Sequence, residues 1–287
     1  MKLPQFLSRP ARKRLKPGRY DPKLGRWEYA QSAEPVEAER LTCATFNVWF
    51  GEQYFQERCL ALLALLEERR PDVIALQEVT LPFLAALRAS AWVQRDYFIS
   101  DSMGTTVQSY GVLLLSRFPF ESIESHTLPT RMERTLLLAR IPVNGTRLAV
   151  GTMHLESLDS AELRGSQLEQ VFGMVAQERD VILMGDFNFC SSWPEEQSRI
   201  PAEYADAWTA LRAEPGYTED PAVNHMLRGM KKKREAVRFD RILVRSRTPG
   251  WVPQSVELLG TTPISDAFPE VFPSDHFGIY AGLKWRR

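Results

Sequence analysis

The sequence has few cysteines, no long apolar run and no surplus of charge of either sign. Its 287 residues include three cysteines, Cys43, Cys59 and Cys190, and no C-x-x-C pair. This argues against a disulfide framework or a thiolate zinc site and predicts buried, reduced thiols. No apolar stretch reaches the ~18 residues that a membrane-spanning helix needs, and the first residues lack the apolar centre of a signal peptide. We therefore expect a soluble intracellular protein, cytoplasmic or nuclear, with no membrane partner.

The thirty-six basic and thirty-six acidic residues cancel in number but are unevenly distributed. Residues 1–26 contain nine Lys or Arg and one acid, and residues 228–247 contain nine against two acids. Two such segments are typical of a protein that binds a polyanion, although each alone is more often a solvated surface. We expect residues 1–40 to form a basic arm, whose order the sequence leaves open, and residues 41–287 to form one domain.

From Leu41 onward, short apolar runs alternate with polar turns and amphipathic stretches, which predicts an α/β domain. Asn144 and Gly145 favour a tight hairpin between two of these runs, because both central positions of that turn require a positive φ. The sheet is therefore at least partly antiparallel. Helices are predicted over residues 53–69 and 161–179, and strands over residues 41–46, 73–76, 112–115, 135–141, 148–152, 181–184, 242–244 and 279–283.

Polar side chains repeatedly follow the predicted strands, at the position where a strand ends, and one pair directly precedes the final strand. These residues are Asn47, Glu78, His154, Asp186, Asn188, Asp275 and His276. Each alone is more often a turn or cap residue. Strand ends are also where α/β proteins build their sites, so the repetition predicts one shared site.

The chemistry of this set suits a hard divalent cation and phosphoryl transfer. Mg²⁺ takes oxygen ligands, including one or two protein carboxylates, and Glu78 and Asp275 fit that role; Mn²⁺ is an acceptable substitute. Phosphoryl transfer also needs an oriented nucleophile and charge stabilisation, which Asp186, the amides and the imidazoles can supply. The sequence has no G-x-S-x-G elbow and no glycine-rich nucleotide loop, so serine-hydrolase chemistry is disfavoured.

Six ordered blocks carry these residues: T-F-N-V-W-F (45–50), L-Q-E-V-T (76–80), H-L-E-S (154–157), G-D-F-N (185–188), R-F-D-R-I-L (238–243) and P-S-D-H-F-G (273–278). From residue 41 to the C-terminus, the chain resembles the endonuclease/exonuclease/phosphatase superfamily and, within it, the tyrosyl-DNA phosphodiesterases. The resemblance implies a four-layered α/β/β/α sandwich, in which two mixed, largely antiparallel sheets pack face to face. Residues 41–287 would then be a catalytic domain.

The resemblance also implies roles in binding the metal and the attacking water. Glu78 would bind the metal, with Asp275 as a direct or water-mediated partner. Asn47 and Asn188 would position metal-bound water and phosphate. Asp186 would orient or deprotonate the water.

Three further residues would act on the phosphate, and two positions depart from the family pattern. His276 would contact the scissile phosphate, Asp240 would hold its ring, and His154 would touch phosphate too. Trp49 stands where many members carry an acid, so a metal role is lost there. Glu219 stands where the resemblance places an aromatic DNA-contacting residue in vertebrate relatives.

The loop over residues 214–238 is expected to determine what enters the site. From it we predict substrate contacts by Tyr217, Asn224, Lys231, Lys232 and Arg238, with Asn224 taken from a matching family position. The implied reaction is Mg²⁺-dependent hydrolysis of a 5′-phosphotyrosyl-DNA linkage in DNA repair, leaving a 5′-phosphate. The partner would be DNA with a 5′ protein or peptide adduct, and the protein would be a monomer.

Two other functions remain open at the level of sequence. The same mechanism suits a nuclease or phosphatase that acts on RNA, DNA or a small phosphoester. A non-catalytic nucleic-acid-binding module would keep the fold without turnover. The intact acids and imidazole of the six blocks favour an enzyme.

Overall fold

The computed structural model describes residues 11–30, 33–231 and 234–287, which form two β-sheets with helices outside them. The helices are α1 (Phe55–Arg69), α2 (Leu81–Ala89), α3 (Ala91–Asp96), α4 (Ala161–Val175), α5 (Pro194–Gln197), α6 (Ala207–Leu211) and α7 (His225–Lys231). The strands are β1 (Arg12–Leu15), β2 (Gly18–Asp21), β3 (Arg26–Tyr29), β4 (Arg40–Asn47), β5 (Val73–Val79), β6 (Phe98–Ile99), β7 (Gly111–Ser116), β8 (Ser122–Thr127), β9 (Thr135–Val143), β10 (Thr146–His154), β11 (Asp180–Asp186), β12 (Ala205–Asp206), β13 (Asp240–Arg245), β14 (Gly250–Leu259) and β15 (Gly278–Arg286).

Both sheets are mixed. The seven-stranded sheet has the order β1-β8-β9-β10-β11-β13-β12, and the eight-stranded sheet has the order β14-β15-β4-β5-β7-β6-β2-β3. β4 pairs with β5 and β10 pairs with β11 in parallel, whereas neighbours such as β9 with β10 and β11 with β13 are antiparallel. The predicted mixed, largely antiparallel sandwich is confirmed.

The alternation of side chains along the strands produces four layers. In β5, Val73 and Ala75 face the core between the two sheets, whereas Ile74 and Leu76 face the core under α1, α2 and α3. β11 alternates in the same way, between the central core and a third core under α4. A strand that is buried on both faces is apolar at successive positions, which is why these strands appear as short continuous apolar runs in the sequence.

The predicted strands all lie within observed strands, and the first helix begins only two residues later than predicted. Asn144 and Gly145 have φ values of 53° and 66°, as the predicted hairpin requires. The second helix ends at Val175 rather than at residue 179. Arg245 Nη2 donates to the carbonyls of Val175 and Glu178, both at 2.7 Å, and so satisfies the backbone after the last helical turn.

The N-terminal segment contains three strands that were not predicted. β1 pairs with β8 at the edge of one sheet, and β2 with β3 extends the other sheet beside β6. An edge strand pairs on one side only and often carries Lys or Arg, so its sequence lacks the apolar alternation of a central strand. The described part of the arm thus belongs to the sandwich, the boundary at residue 40 stays a prediction, and residues 1–10 lie outside the described part.

Two predictions from the composition can be compared with the structure. All three cysteines are buried and unbonded to one another, as expected. Across the described residues, none of the helices has the length and apolarity that a membrane crossing requires.

Candidate active site

The polar residues at the strand ends meet at one end of the two packed sheets. In each parallel pair, β4 with β5 and β10 with β11, the C-terminal ends lie side by side. The register places His154 beside Asp186, and Asp186 opposite Asp240 of β13. Asn47, at the end of β4 in the other sheet, donates from Nδ2 to Asp186 Oδ2 at 3.0 Å. This hydrogen bond joins the two halves of the site.

Asp186 is the carboxylate on which these contacts converge. Its Oδ2 lies 3.3 Å from His154 Nε2 and 3.8 Å from His276 Nε2, and its Oδ1 accepts from the Asn188 backbone N–H at 2.9 Å. Burial raises the pKa of Asp186, but the two imidazoles and the hydrogen bonds from Asn47 and Asn188 outweigh burial and lower it to about 2. Asp186 is therefore a buried, ionised acceptor.

His276 lies between two carboxylates. Its Nδ1 is 2.8 Å from Asp240 Oδ2, and its Nε2 is 3.2 Å from Glu219 Oε1. Burial lowers the pKa of His276, but the opposite effect of Asp240 and Asp186 is larger. The pKa is therefore raised from 6.5 to about 9. The imidazole is therefore cationic at neutral pH, with Asp240 holding the ring through Nδ1.

Glu78 and Asp275 are both linked to Asn47 by hydrogen bonds, Asp275 through the Ser274 hydroxyl. Glu78 has a φ of 58° at an irregularity in the pairing of β5 with β7. Its Oε1 lies 3.4 Å from Asn47 Nδ2, and its Oε2 accepts from the Phe50 backbone N–H at 3.0 Å. Asp275 is buried and follows Ser274, whose hydroxyl donates to the Asn47 carbonyl at 2.7 Å. Both carboxylates are thus positioned around the same asparagine.

The donor atoms of the site suit a hard divalent cation. Ligand atoms lie within 4.8 Å of one another in two groups, Asp186 with Asp240 and His276, and Glu219 with Asp275 and His276. Asp240 Oδ1 is buried without a hydrogen-bond partner among the described residues. Carboxylate oxygens in this number, with no thiolate beside them, match Mg²⁺ or Mn²⁺ chemistry. No metal role was predicted for Glu219, although it belongs to the second group together with Asp275. Among the described residues Glu78 belongs to neither group, and the metal roles of Glu78 and Asp275 stay predictions.

The site opens into a cavity of about 630 Å³ whose walls include side chains that were not predicted. Arg134 is almost fully buried, and its guanidinium lies 5.6 Å from the centre of the Tyr110 ring. Phe50 stacks on Tyr110 with the ring centres 5.0 Å apart. Tyr110 and Arg134 directly precede β7 and β9, so a rule based on polar residues that follow strands does not select them.

Glu156, from the H-L-E-S block, supports the loop that carries Arg134. Its carboxylate is fully buried and accepts from Thr130 Oγ1 at 2.7 Å and from the Arg131 backbone N–H at 2.9 Å. Gln167 of α4 donates to the same carboxylate at 3.4 Å. This glutamate therefore fixes a cavity wall.

Arg58 of α1 donates hydrogen bonds to two loops, one beside Glu78 and one that bears Asp275. It is almost fully buried and donates from Nη1 to the carbonyls of Val48, at 3.3 Å, and Pro273, at 3.4 Å. Burial lowers the pKa of Arg58 to about 10. Its guanidinium lies 4.3 Å from the centre of the Trp49 ring. Trp49, at the position where an acid was expected from the family pattern, thus packs on this arginine.

Three of the predicted substrate-binding residues lie away from the cavity wall. Arg238 is almost fully buried and pairs with Asp206 at 2.7 Å. Asn224 donates from Nδ2 to the Ser274 carbonyl at 2.8 Å and so supports the segment that bears Asp275. Tyr217 is exposed. In the part of the chain that the structure describes, none of the three lines the cavity, so their direct contact with substrate stays a prediction without support from the cavity.

The other predicted residues are placed as follows. His154 and Asn188 line the cavity, and Asn188 Nδ2 donates to the Leu155 carbonyl at 2.9 Å. Lys231 is the last residue of α7, and its side chain, like the whole of Lys232, lies outside the described residues. Their contact with substrate also stays a prediction.

Comparison with known proteins agrees with this geometry. The model of the Endonuclease/Exonuclease/phosphatase family matches residues 44–276. Tyrosyl-DNA phosphodiesterase 2 (TDP2) of Mus musculus is 32% identical over 267 residues, which are 90% of this chain and 70% of that protein. The Xenopus laevis protein of the same name is 30% identical over 255 residues, 85% of this chain and 66% of that protein.

Solved structures of the same enzyme share the fold. D. rerio TDP2 complexed with a single-strand DNA product superposes with a TM-score of 0.74 at 27% identity, over 86% of this chain and 100% of that chain. Truncated Caenorhabditis elegans TDP2 superposes with a TM-score of 0.72 at 25% identity, over 85% of this chain and 97% of that chain. The chain therefore belongs to the endonuclease/exonuclease/phosphatase family, with tyrosyl-DNA phosphodiesterase 2 among its relatives, and is a metal-dependent hydrolase of phosphoester bonds.

Proposed function

We propose that this enzyme uses Mg²⁺ to hydrolyse 5′-phosphotyrosyl-DNA linkages and leaves a 5′-phosphate on the DNA. The observation that carries the proposal is the pairing of opposite charges where the cavity meets the strand ends. A cationic imidazole, His276, lies 3.8 Å from an ionised carboxylate, Asp186. A phosphodiester needs both, one to stabilise charge on its oxygens and one to orient water. The choice of tyrosyl-DNA as the substrate is inferred from the names of the relatives.

The residues of the chain divide the hydrolytic step between them. His276 would donate from Nε2 to a phosphoryl oxygen, and Asp240 would keep the ring charged and oriented. Asp186 would accept a hydrogen bond from the attacking water and aim it at phosphorus. Its low pKa favours orientation of the water over removal of a proton before attack. The metal, when bound by Glu78 and Asp275, would neutralise charge on the phosphate.

The cavity wall suits an aromatic leaving group. Tyr110 presents a ring beside the Arg134 guanidinium, and such a pair can pack against the ring of a tyrosine. A tyrosine leaves as a phenolate, whose conjugate acid has a pKa of about 10, far below that of an alcohol. Its departure therefore needs less help from a general acid than the cleavage of an ordinary DNA phosphodiester.

The test is a substrate panel with the full chain in Mg²⁺. The substrates are a 5′-tyrosyl oligonucleotide, the same oligonucleotide unmodified as single and double strands, an RNA of the same sequence, and p-nitrophenyl phosphate. We expect release of tyrosine and a 5′-phosphate end, with EDTA abolishing the reaction. Internal cleavage of DNA or RNA without tyrosine release would assign the enzyme to the nucleases, and preference for p-nitrophenyl phosphate would assign it to the phosphatases.

A further inference from the structure

Glu219 is held against the site by a pair of backbone hydrogen bonds with Val237. Its N–H donates to the Val237 carbonyl at 3.0 Å, and the Val237 N–H donates to the Glu219 carbonyl at 2.9 Å. The preceding residue, Thr218, accepts from the Phe277 N–H at 2.6 Å, next to His276. The Glu219 side chain is buried and lines the cavity. The backbone of Glu219 is therefore held at the cavity wall, and its buried side chain forms part of that wall.

The Glu219 carboxylate contacts Nε2 of His276, the ring nitrogen that would donate to the phosphate in the proposed reaction. Nδ1 of the ring is taken by Asp240, and Glu219 Oε1 is 3.2 Å from Nε2. A phosphoryl oxygen that accepts from Nε2 lies about 2.8 Å from it, so it comes within about 6 Å of Glu219 Oε1 whatever its direction of approach. The bound phosphate is therefore close enough to be repelled by the negative charge of this carboxylate.

The charge of Glu219 acts differently on substrate and product. A phosphodiester carries one negative charge, whereas a terminal phosphate carries about 1.5 to 2 at pH 7. At a separation of about 6 Å in a partly buried site, each added unit of charge weakens binding on the order of tenfold to a hundredfold. Hydrolysis raises the charge of the phosphate that stays on the DNA, so repulsion rises at the moment the product forms.

We propose that Glu219 is a specificity-determining residue that selects phosphodiesters over phosphomonoesters and promotes release of the 5′-phosphate product. The inference rests on the proposed hydrolysis of a phosphodiester. It does not require the leaving group to be tyrosine.

The experiment measures product inhibition with p-nitrophenyl thymidine 5′-monophosphate as substrate, at saturating Mg²⁺. Two competing oligonucleotides of one sequence differ only at the 5′ end, one with a phosphate and one with a methyl phosphate that keeps a single charge. For Glu219→Gln we expect both inhibition constants to fall, that of the methyl phosphate oligonucleotide by about tenfold, because both 5′ ends carry negative charge near residue 219. The constant of the 5′-phosphate oligonucleotide should fall by about three- to tenfold more than that of the methyl phosphate oligonucleotide, because its phosphate carries about 0.5 to 1 more unit of negative charge.

Two further variants make the result interpretable. Glu219→Asp keeps the charge and should retain the wild-type ratio of the two constants. Glu133→Gln removes an exposed carboxylate from the loop that carries Arg134, where its partner is the Ser109 hydroxyl, and should also leave the ratio unchanged. Glu133 is the matched control because its loop borders the cavity and its carboxylate makes no contact with His276.

A ratio in Glu219→Gln equal to that of wild type overturns the inference. So does a higher Mg²⁺ requirement with an unchanged ratio, which would make Glu219 a metal ligand instead. The chromogenic substrate separates this inference from the proposed function. If the enzyme cleaves it but releases no tyrosine from DNA, the tyrosyl-DNA assignment fails and the role of Glu219 is still measured.

Discussion

Replacing Asp240 by Asn removes the charge that holds His276 cationic while leaving a side chain of the same shape. Asp240 Oδ2 lies 2.8 Å from His276 Nδ1, and both groups are buried. Burial alone would lower the pKa of His276, and Asp240 is the largest influence that raises it. The variant should therefore lose the protonated imidazole at a lower pH than the wild type. Activity that depends on this proton should therefore decline at a lower pH in the variant than in the wild type.

The size of the effect depends on the pKa of His276 in the wild type and in Asp240→Asn. The pKa of His276 is about 9, against an ordinary value of 6.5. The charged form is present below the pKa and is lost as the pH rises through it, so wild-type activity should decline around pH 9. With Asn at position 240 we expect the decline about 2.5 pH units lower, near the ordinary histidine value of 6.5. At pH 7.5 the charged fraction would fall from nearly complete to about a tenth, a loss of roughly tenfold from protonation alone.

The assay is kcat/KM for a 5′-tyrosyl oligonucleotide at saturating Mg²⁺ over the range from pH 6 to pH 10. The deficit of Asp240→Asn should grow with pH and be smallest at the acid end. Asp220→Asn is the control, because Asp220 is a nearby acid whose Oδ1 accepts from the Ala222 N–H. Wild-type and Asp240→Asn profiles that run parallel across the whole range would refute the assigned role of Asp240.

Three more substitutions give distinct outcomes. Asp186→Asn should lower kcat on the order of 10² to 10⁴-fold with KM changed little, since the orienting carboxylate acts mainly in the transition state; a loss below tenfold in steady-state assays would contradict that. Glu78→Gln should raise the Mg²⁺ concentration for half-maximal activity about tenfold or more, and an unchanged metal titration would remove Glu78 from the metal site. Glu196 pairs with the buried Arg164 at 2.6 Å, and Glu196→Gln leaves that arginine without a charged partner. The substitution should lower the free energy of unfolding, measured in urea, by about 3 kcal/mol. A change below about 1 kcal/mol would show that the two carbonyls bonded to Arg164 suffice.

The central strands and the residues at their ends could be predicted from sequence because one physical rule governs both. A strand buried on two faces is apolar throughout, so the first polar residue marks its end, as at Asn47 and Asp186. The parallel pairs then bring those ends together at one edge. Asp240 was assigned to the site only through the resemblance, because it is the first residue of β13 and does not follow a strand.

Side chains on loops, and strands at the sheet edges, could not be predicted in the same way. Arg134 reaches the cavity because Glu156 fixes its loop, and Glu219 reaches His276 because a backbone pairing with Val237 pins it. Neither contact leaves a periodic pattern in the sequence. The basic strand β1 likewise lacks apolar alternation, since only one of its edges is paired.

Hydrolysis in water labelled with oxygen-18 tests whether this site directs water to the phosphorus of a tyrosyl-DNA bond. The wild-type enzyme in Mg²⁺ is given a 5′-tyrosyl oligonucleotide, and mass spectrometry locates the label after one turnover. We predict one labelled oxygen in the 5′-phosphate of the DNA and none in the released tyrosine. Label in the tyrosine, or an intact tyrosyl bond after prolonged incubation with active enzyme, would contradict the proposed reaction.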